Sequence, residues 1–263
     1  MKKNRFKLFC LLSLIQLIAF ANKPFQFALF TDMHISVSKP QNAEDLKLAI
    51  NEVNANKAIR FVLIAGDDTD KGDSISLEKT KSLLSALRMP YYITSGNHDT
   101  GGGKLGSSLF KKILGNDKFS FRTEGYQFIG FPSGPIAGTS IGQIAEEDKY
   151  FLTEELSKNS KIPSFLITHY PLLEGDIVNP NDFIRDLKKY SVIAVLGGHY
   201  HRNAIFNYDG IYGIINRSIL RSNDIVGGYS IFEISDSIQV SEKCIGRTKN
   251  KWLDLGIYPH NIN

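Results

Sequence analysis

The chain has 263 residues, 42% of them hydrophobic, with 31 basic and 27 acidic side chains and a net charge of +4. It is long enough to bury a large core. Its basic surplus sits at the start, in Lys2, Lys3, Arg5 and Lys7; without these four, 27 basic residues face 27 acidic ones, a balance that argues against a nucleic-acid binder.

Residues 1–21 have the three parts of a secretory signal peptide: a basic start, an apolar run from Leu8 to Ala21, and the small-residue triplet Ala19-Phe20-Ala21. The run is shorter than the about 20 apolar residues of a membrane-spanning helix, and Ser13 and Gln16 interrupt it. Cleavage after Ala21 is expected. Residues 22–263 would then be one exported domain, periplasmic or extracellular, with no membrane span. Cys10 leaves with the leader, so Cys244 has no partner for an intrachain disulfide. Any metal site must be built from His, Asp, Glu or Asn.

Short β-rich apolar runs follow at Phe25–Phe30, Phe61–Ala65, Tyr91–Thr94, Phe128–Phe131, Ser164–Thr168 and Val192–Leu196. Between them, helical periodicity marks Ala43–Lys57, Ser76–Met89, Tyr150–Lys158 and Phe183–Tyr190. Alternating strands and helices predict crossover units and a largely parallel sheet. After His201 the pattern changes to strands with close turns, one hairpin around Asp209-Gly210 and another before Ile238-Gln239-Val240.

The polar residues are placed systematically. Five of the runs end in a cluster: Asp32-Met33-His34, Gly66-Asp67-Asp68-Thr69-Asp70, Gly96-Asn97-His98-Asp99, His169-Tyr170 and Gly198-His199-Tyr200-His201. Ligand sites of open α/β sheets lie beyond the carboxyl ends of the strands, so all five clusters can meet in one crevice. Five of the six histidines are in them. Taken singly, each residue is ordinary turn chemistry; the ordered set points to a metal site.

The order D-x-H, G-D, G-N-H-D, a lone His and G-H-x-H resembles the calcineurin-like metallophosphoesterases, and the match runs from Asp32 to His201. The resemblance implies an α/β fold, a four-layer α-β-β-α sandwich of two mixed sheets flanked by helices. It also implies two divalent or trivalent transition-metal ions, Mn, Fe, Zn, Ni or Co. Asp32, His34 and His201 would hold one ion and Asn97, His169 and His199 the other, with Asp67 bridging. The family's reaction is phosphoester hydrolysis by a hydroxide held between the cations. His98 would serve the leaving oxygen, Asp99 would orient His98, and Asp70 or Asp68 would support metal-bound histidines from behind.

Departures narrow the choice. Purple acid phosphatases carry a tyrosine where this chain has Asp70; protein Ser/Thr phosphatases carry Arg and Glu where it has Lys71 and Asp99. The G-N-H-D and G-H-x-H forms followed by Arg202 are similar to bacterial cyclic-nucleotide phosphodiesterase-like members. The expected substrate is a small organic phosphodiester or phosphomonoester. A non-catalytic metal-binding envelope protein and a metal-dependent exonuclease are the alternatives. Arg202, Arg217 and Arg221 are candidates for gripping phosphate, set against ordinary surface ion pairs. Thr100–Ser108, with Gly101-Gly102-Gly103, reads as a lid or a plain connection.

Overall fold

The computed structural model describes residues 24–257 apart from 102 and 222–224; the expected leader lies outside them. Among the described residues are twelve strands and six helices. Strands β1 (Phe25–Phe30), β2 (Ile59–Ala65) and β3 (Tyr91–Thr94) are parallel neighbours. Antiparallel β10 (Gly228–Ile234), β11 (Ser237–Cys244) and β12 (Lys249–Ile257) extend that sheet in the order β12-β11-β10-β1-β2-β3. The second sheet runs β4-β5-β6-β7-β9-β8. Its parallel centre is β5 (Tyr126–Gly130), β6 (Ser164–Ile167), β7 (Val192–Gly197) and β9 (Ile211–Ile215), with antiparallel edges β4 (Phe119–Thr123) and β8 (Ala204–Tyr208).

Successive side chains of a strand point to opposite faces, and here both faces are covered. Phe27 and Leu29 of β1, Phe61 and Leu63 of β2, and Phe165 and Ile167 of β6 meet in the core between the sheets. There Phe27 stacks on Phe232 with ring centroids 4.6 Å apart. Their neighbours Ala28, Phe30, Val62 and Ile64 face outward onto α1 (Pro40–Ala55), α2 (Ser74–Leu84) and α4 (Lys104–Leu114). Leu166 and Val195 face α5 (Glu146–Ser157) and α6 (Pro180–Leu187) on the far side. The expected four layers are therefore present, and burial on both faces explains why the strands read as unbroken apolar runs.

Several boundaries differ from expectation, α2 ending at Leu84 and α5 starting at Glu146 among them, and at two helix starts the local reason is visible. Helix α1 starts at Pro40, whose fixed φ and missing N–H suit a first turn. Helix α2 starts early because the Asp73 side chain accepts a hydrogen bond from the Ser76 N–H, 2.9 Å away. Of the expected lid or connection Thr100–Ser108, Thr100 closes α3 (Asn97–Thr100) and the part from Lys104 on belongs to α4. The hairpin at Asp209-Gly210 forms as expected, both residues having positive φ.

Candidate metal centre

The clusters converge because β1, β2, β3, β6 and β7 all end on the same side of the sandwich. Main-chain bonds then lace the loops together. Asp32 N–H donates to Gly66 O, His34 N–H to Asp67 O, and Gly198 N–H to His169 O, each at 3.0 Å. Five of the expected ligands, Asp32, His34, Asp67, His199 and His201, have φ between +46° and +70°. Non-glycine residues rarely adopt that conformation, and it persists only where surrounding contacts enforce it.

Asp32, His34 and His201 place one ligand atom each within 4.8 Å of one another, as do Asp32, Asp67 and His169. His34 Nε2 is 3.3 Å from His201 Nε2, and His201 Nε2 is 3.2 Å from Asp32 Oδ1. On the other side His169 Nε2 is 3.0 Å from Asn97 Oδ1 and 3.2 Å from Asp67 Oδ2. Asp67 Oδ2 also lies 3.8 Å from His34 Nε2, so this one oxygen faces both groups. The main-chain N–H of His199 donates to Asp32 Oδ2 at 3.1 Å and its ring lies beside that of His169, centroids 5.3 Å apart, but its ring nitrogens are in none of the three-residue ligand groups formed by the described residues.

These spacings test the fit to metal directly. A cation with bonds of about 2.1 Å has ligand atoms roughly 3.0 to 3.4 Å apart, the edge of its coordination polyhedron. The facing nitrogens of His34 and His201 match that edge. The His169 tautomer fits as well: Nδ1 lies 2.9 Å from Ala65 O, and a carbonyl only accepts, so Nδ1 carries a hydrogen and Nε2 is the nitrogen that would ligate a cation. The imidazole and carboxylate set suits a transition metal better than Ca or Mg.

The charges respond to one another. Burial opposes ionisation of Asp67, but His169 beside it outweighs burial and holds the carboxyl well below its ordinary range. Burial likewise opposes a charge on His169, yet Asp67 and Asp32 lift it to about 9. His34 is lowered to about 4 by burial, which Asp67 and Asp32 only partly offset.

Two roles differ from the sequence expectation. Asp99 does not orient His98. Its buried carboxylate accepts from the N–H groups of Asp68, Thr69 and Gly96 at 3.1, 2.8 and 2.9 Å and from Thr69 Oγ1 at 2.9 Å, tying two loops together. Burial and Asp67 push it up against those bonds. His98 is held instead by Asp70 O, 2.9 Å from Nδ1. Asp70 Oδ1 is 3.8 Å from His34 Nδ1, beyond hydrogen-bond range, and pairs with Lys39 at 2.8 Å. Asp68 is fully buried, and burial with Asp99 and Asp67 raises its carboxyl. It accepts no hydrogen bond among the described residues, so it does not brace a histidine. Arg217 is engaged by Glu242, and Arg221 by Asp45 through bonds of 3.0 and 2.7 Å. Sequence reading also missed Asp176, whose carboxylate accepts from Tyr200 Oη; no sequence signal links the two.

An α-β-β-α sandwich carrying paired His/Asp/Asn clusters at one strand end is the architecture of metallophosphoesterases. A sequence profile of the Calcineurin-like phosphoesterase family matches residues 25–203, and the chain belongs to that family. It is 27% identical over 199 residues to the Serine/threonine-protein phosphatase CPPED1 of Homo sapiens, covering 65% of this chain and 62% of that protein. It is also 27% identical over 183 residues to the Probable glycerophosphodiester phosphodiesterase GpdQ of Arcobacter nitrofigilis, covering 59% and 67%. The chain thus spans 62% of the length of the CPPED1 relative. The fold is shared with the purple acid phosphatase PPD1 of yellow lupin, with a TM-score of 0.61, 15% identity, and coverage of 88% of this chain and 53% of that one. It is also shared with GAP50 of Plasmodium, with a TM-score of 0.61, 14% identity and 89% of each chain covered.

Proposed function

We propose that the protein is an exported phosphoesterase that hydrolyses a small organic phosphodiester or phosphomonoester. The observation that carries this reading is Asp67 Oδ2 standing between two ligand groups while His98 Nε2 lies 4.0 Å from the same oxygen on the open side. Asp32, His34 and His201 would hold one cation, and Asn97, His169 and His199 the other. A bound cation pair supplies charge neutralisation for the phosphoryl group and activation of water near neutral pH.

The chain's own residues do the rest. His169 is wholly buried, whereas the His98 and His201 side chains are 43% and 41% exposed, so substrate approaches from their side. Nδ1 of His98 faces Asp70 O, which leaves Nε2 toward the substrate; the doubly protonated imidazolium would hand its Nε2 proton to the departing oxygen and keep the hydrogen on Nδ1. The Asp67 Oδ1 atom accepts the His98 N–H at 2.9 Å, fixing the donor relative to the bridging carboxylate.

The GpdQ name supports a diester substrate and the CPPED1 name a phosphorylated protein; Lys71 and Asp99 favour the small ester. Purified protein loaded with Mn, Fe, Zn or Ni should hydrolyse bis(4-nitrophenyl) phosphate, and Asp67→Asn should not. No turnover with any metal would favour a binding protein without catalysis. Turnover confined to a phosphoserine peptide would move the substrate to the protein class, and release of nucleotides from DNA to the nuclease class.

A further inference from the structure

The three arginines near the chain's second half have separated roles in the fold. Arg217 and Arg221 are spent on Glu242 and Asp45. Arg202 follows the ligand His201 directly, is exposed, and has no carboxylate partner among the described residues. Its guanidinium carbon stands 5.7 Å from the centre of the Tyr200 ring. A guanidinium lying on a ring face is held by the ring's electrons while its N–H groups stay free to point outward.

The ring beneath it is anchored. Tyr200 Oη donates to the Asp176 carboxylate, and its ring packs edge-on to Phe206, centroids 6.3 Å apart. Phe206 in turn stacks on the buried Tyr208, whose hydroxyl accepts the Leu172 N–H at 3.1 Å. From this platform to the metal centre there are two ring steps, Tyr200 to His199 at 5.9 Å and His199 to His169 at 5.3 Å. A planar cation without a carboxylate partner among the described residues is therefore held on the ring that leads through His199 to His169, one residue beyond His201 and outside the expected ligand set.

We infer that Arg202, presented by Tyr200, is a specificity residue that grips a second oxyanion on the substrate's alcohol portion, a carboxylate or a second phosphate beyond the scissile ester. A guanidinium takes such groups bidentately, which a stacked, pre-oriented fork does at little further entropic cost. This rests on the phosphoesterase reading.

The test compares 4-carboxyphenyl phosphate with its neutral near-isostere 4-carbamoylphenyl phosphate, each also as the methyl diester, on metal-loaded full chain. Wild type should favour the carboxylate form by roughly tenfold in kcat/KM, the scale of one charge-assisted contact at an exposed site. The advantage should lie mainly in KM, vanish in Arg202→Ala, and survive in part in Arg202→Lys. Adding a phosphate in place of the carboxylate distinguishes the two oxyanions. Calorimetric binding of 4-carboxyphenyl phosphonate gives a readout without turnover, with weaker binding expected in Arg202→Ala. Equal preference for both substrates in wild type, or an unchanged preference and phosphonate affinity in Arg202→Ala, would overturn the assignment. Phosphonate binding that depends on Arg202 without hydrolysis of any ester would sink the phosphoesterase reading and leave Arg202 as an oxyanion grip.

Discussion

The imidazole of His98 is oriented by the main chain of Asp70: Nδ1 lies 2.9 Å from its carbonyl oxygen. Since that oxygen can only accept, Nδ1 carries a hydrogen and Nε2 is left on the open side of the site, where the proposed reaction has it serve the leaving oxygen. His98→Ala should therefore lower kcat about a hundredfold or more on an alkyl phosphoester, the range of general acid catalysis. The loss should be less than about tenfold on a 4-nitrophenyl ester, whose leaving group needs no proton. A linear free-energy plot over a leaving-group series measures the difference; equal losses across the series would remove His98 from the proton path.

The raised His169 sets a pH dependence. Its value in the fold, about 9, lies above the ordinary 6.5, so metal-stripped folded protein keeps a proton that the unfolded chain gives up first. Stability from this source is complete below pH 6.5 and is lost as pH rises to about 9, by about 3 kcal/mol. Denaturant titrations with chelator at both ends of the range should show this fall. Metal competes with the same proton, so affinity should climb about tenfold per pH unit until near pH 9. His34, at about 4, adds no such competition above that value.

Asp99 is a loop clamp, and its removal should act on stability and on metal together. Asp99→Ala strands three N–H groups and a hydroxyl in a buried site, a cost of about 3 to 5 kcal/mol. Because the clamp joins the Asp67 and Asn97 loops, metal affinity should fall as well. Thermal unfolding and metal titration read both; a stable variant with native metal affinity would contradict the assignment.

Gly198 is required by the close approach of two loops. A Cβ there would stand 1.9 Å from Thr31 Oγ1 and 2.4 Å from Asp32 Oδ2, displacing the carboxylate proposed to hold a cation. Gly198→Ala should reduce metal affinity at least about tenfold and cost about 1 to 3 kcal/mol from overpacking. Gly103→Ala, whose Cβ meets nothing closer than 3.9 Å, should change metal affinity little.

Phe27 occupies the centre of the core between the sheets, stacked on Phe61 and Phe232 and fully buried. Phe27→Ala should cost about 3 to 5 kcal/mol. It should lower the melting temperature of metal-free and metal-loaded protein alike, since it touches no ligand.

The expected strands and ligand clusters were legible because both are local. A strand buried on two faces must be apolar along its length, and the polar residues needed for ligation can begin only where that run stops. Phe25–Phe30 running into Asp32 and His34, and Val192–Leu196 into His199 and His201, show this directly. Edge strand β4 was not legible: with only one neighbouring strand, Phe119–Thr123 is not forced into a continuous apolar pattern.

What the sequence by itself determined was the inventory: which residue types can bind metal, in what order, and at which strand ends. The tertiary structure decided their partners. Asp99 accepts from Thr69, 30 residues away, and Tyr200 finds Asp176, 24 residues away. Arg217 and Arg221 are absorbed by Glu242 and Asp45 while Arg202 is left over the Tyr200 ring. The reason is geometric. Hydrogen bonds and ion pairs act over a few ångströms, and only the packing of two sheets brings residues from distant loops that close.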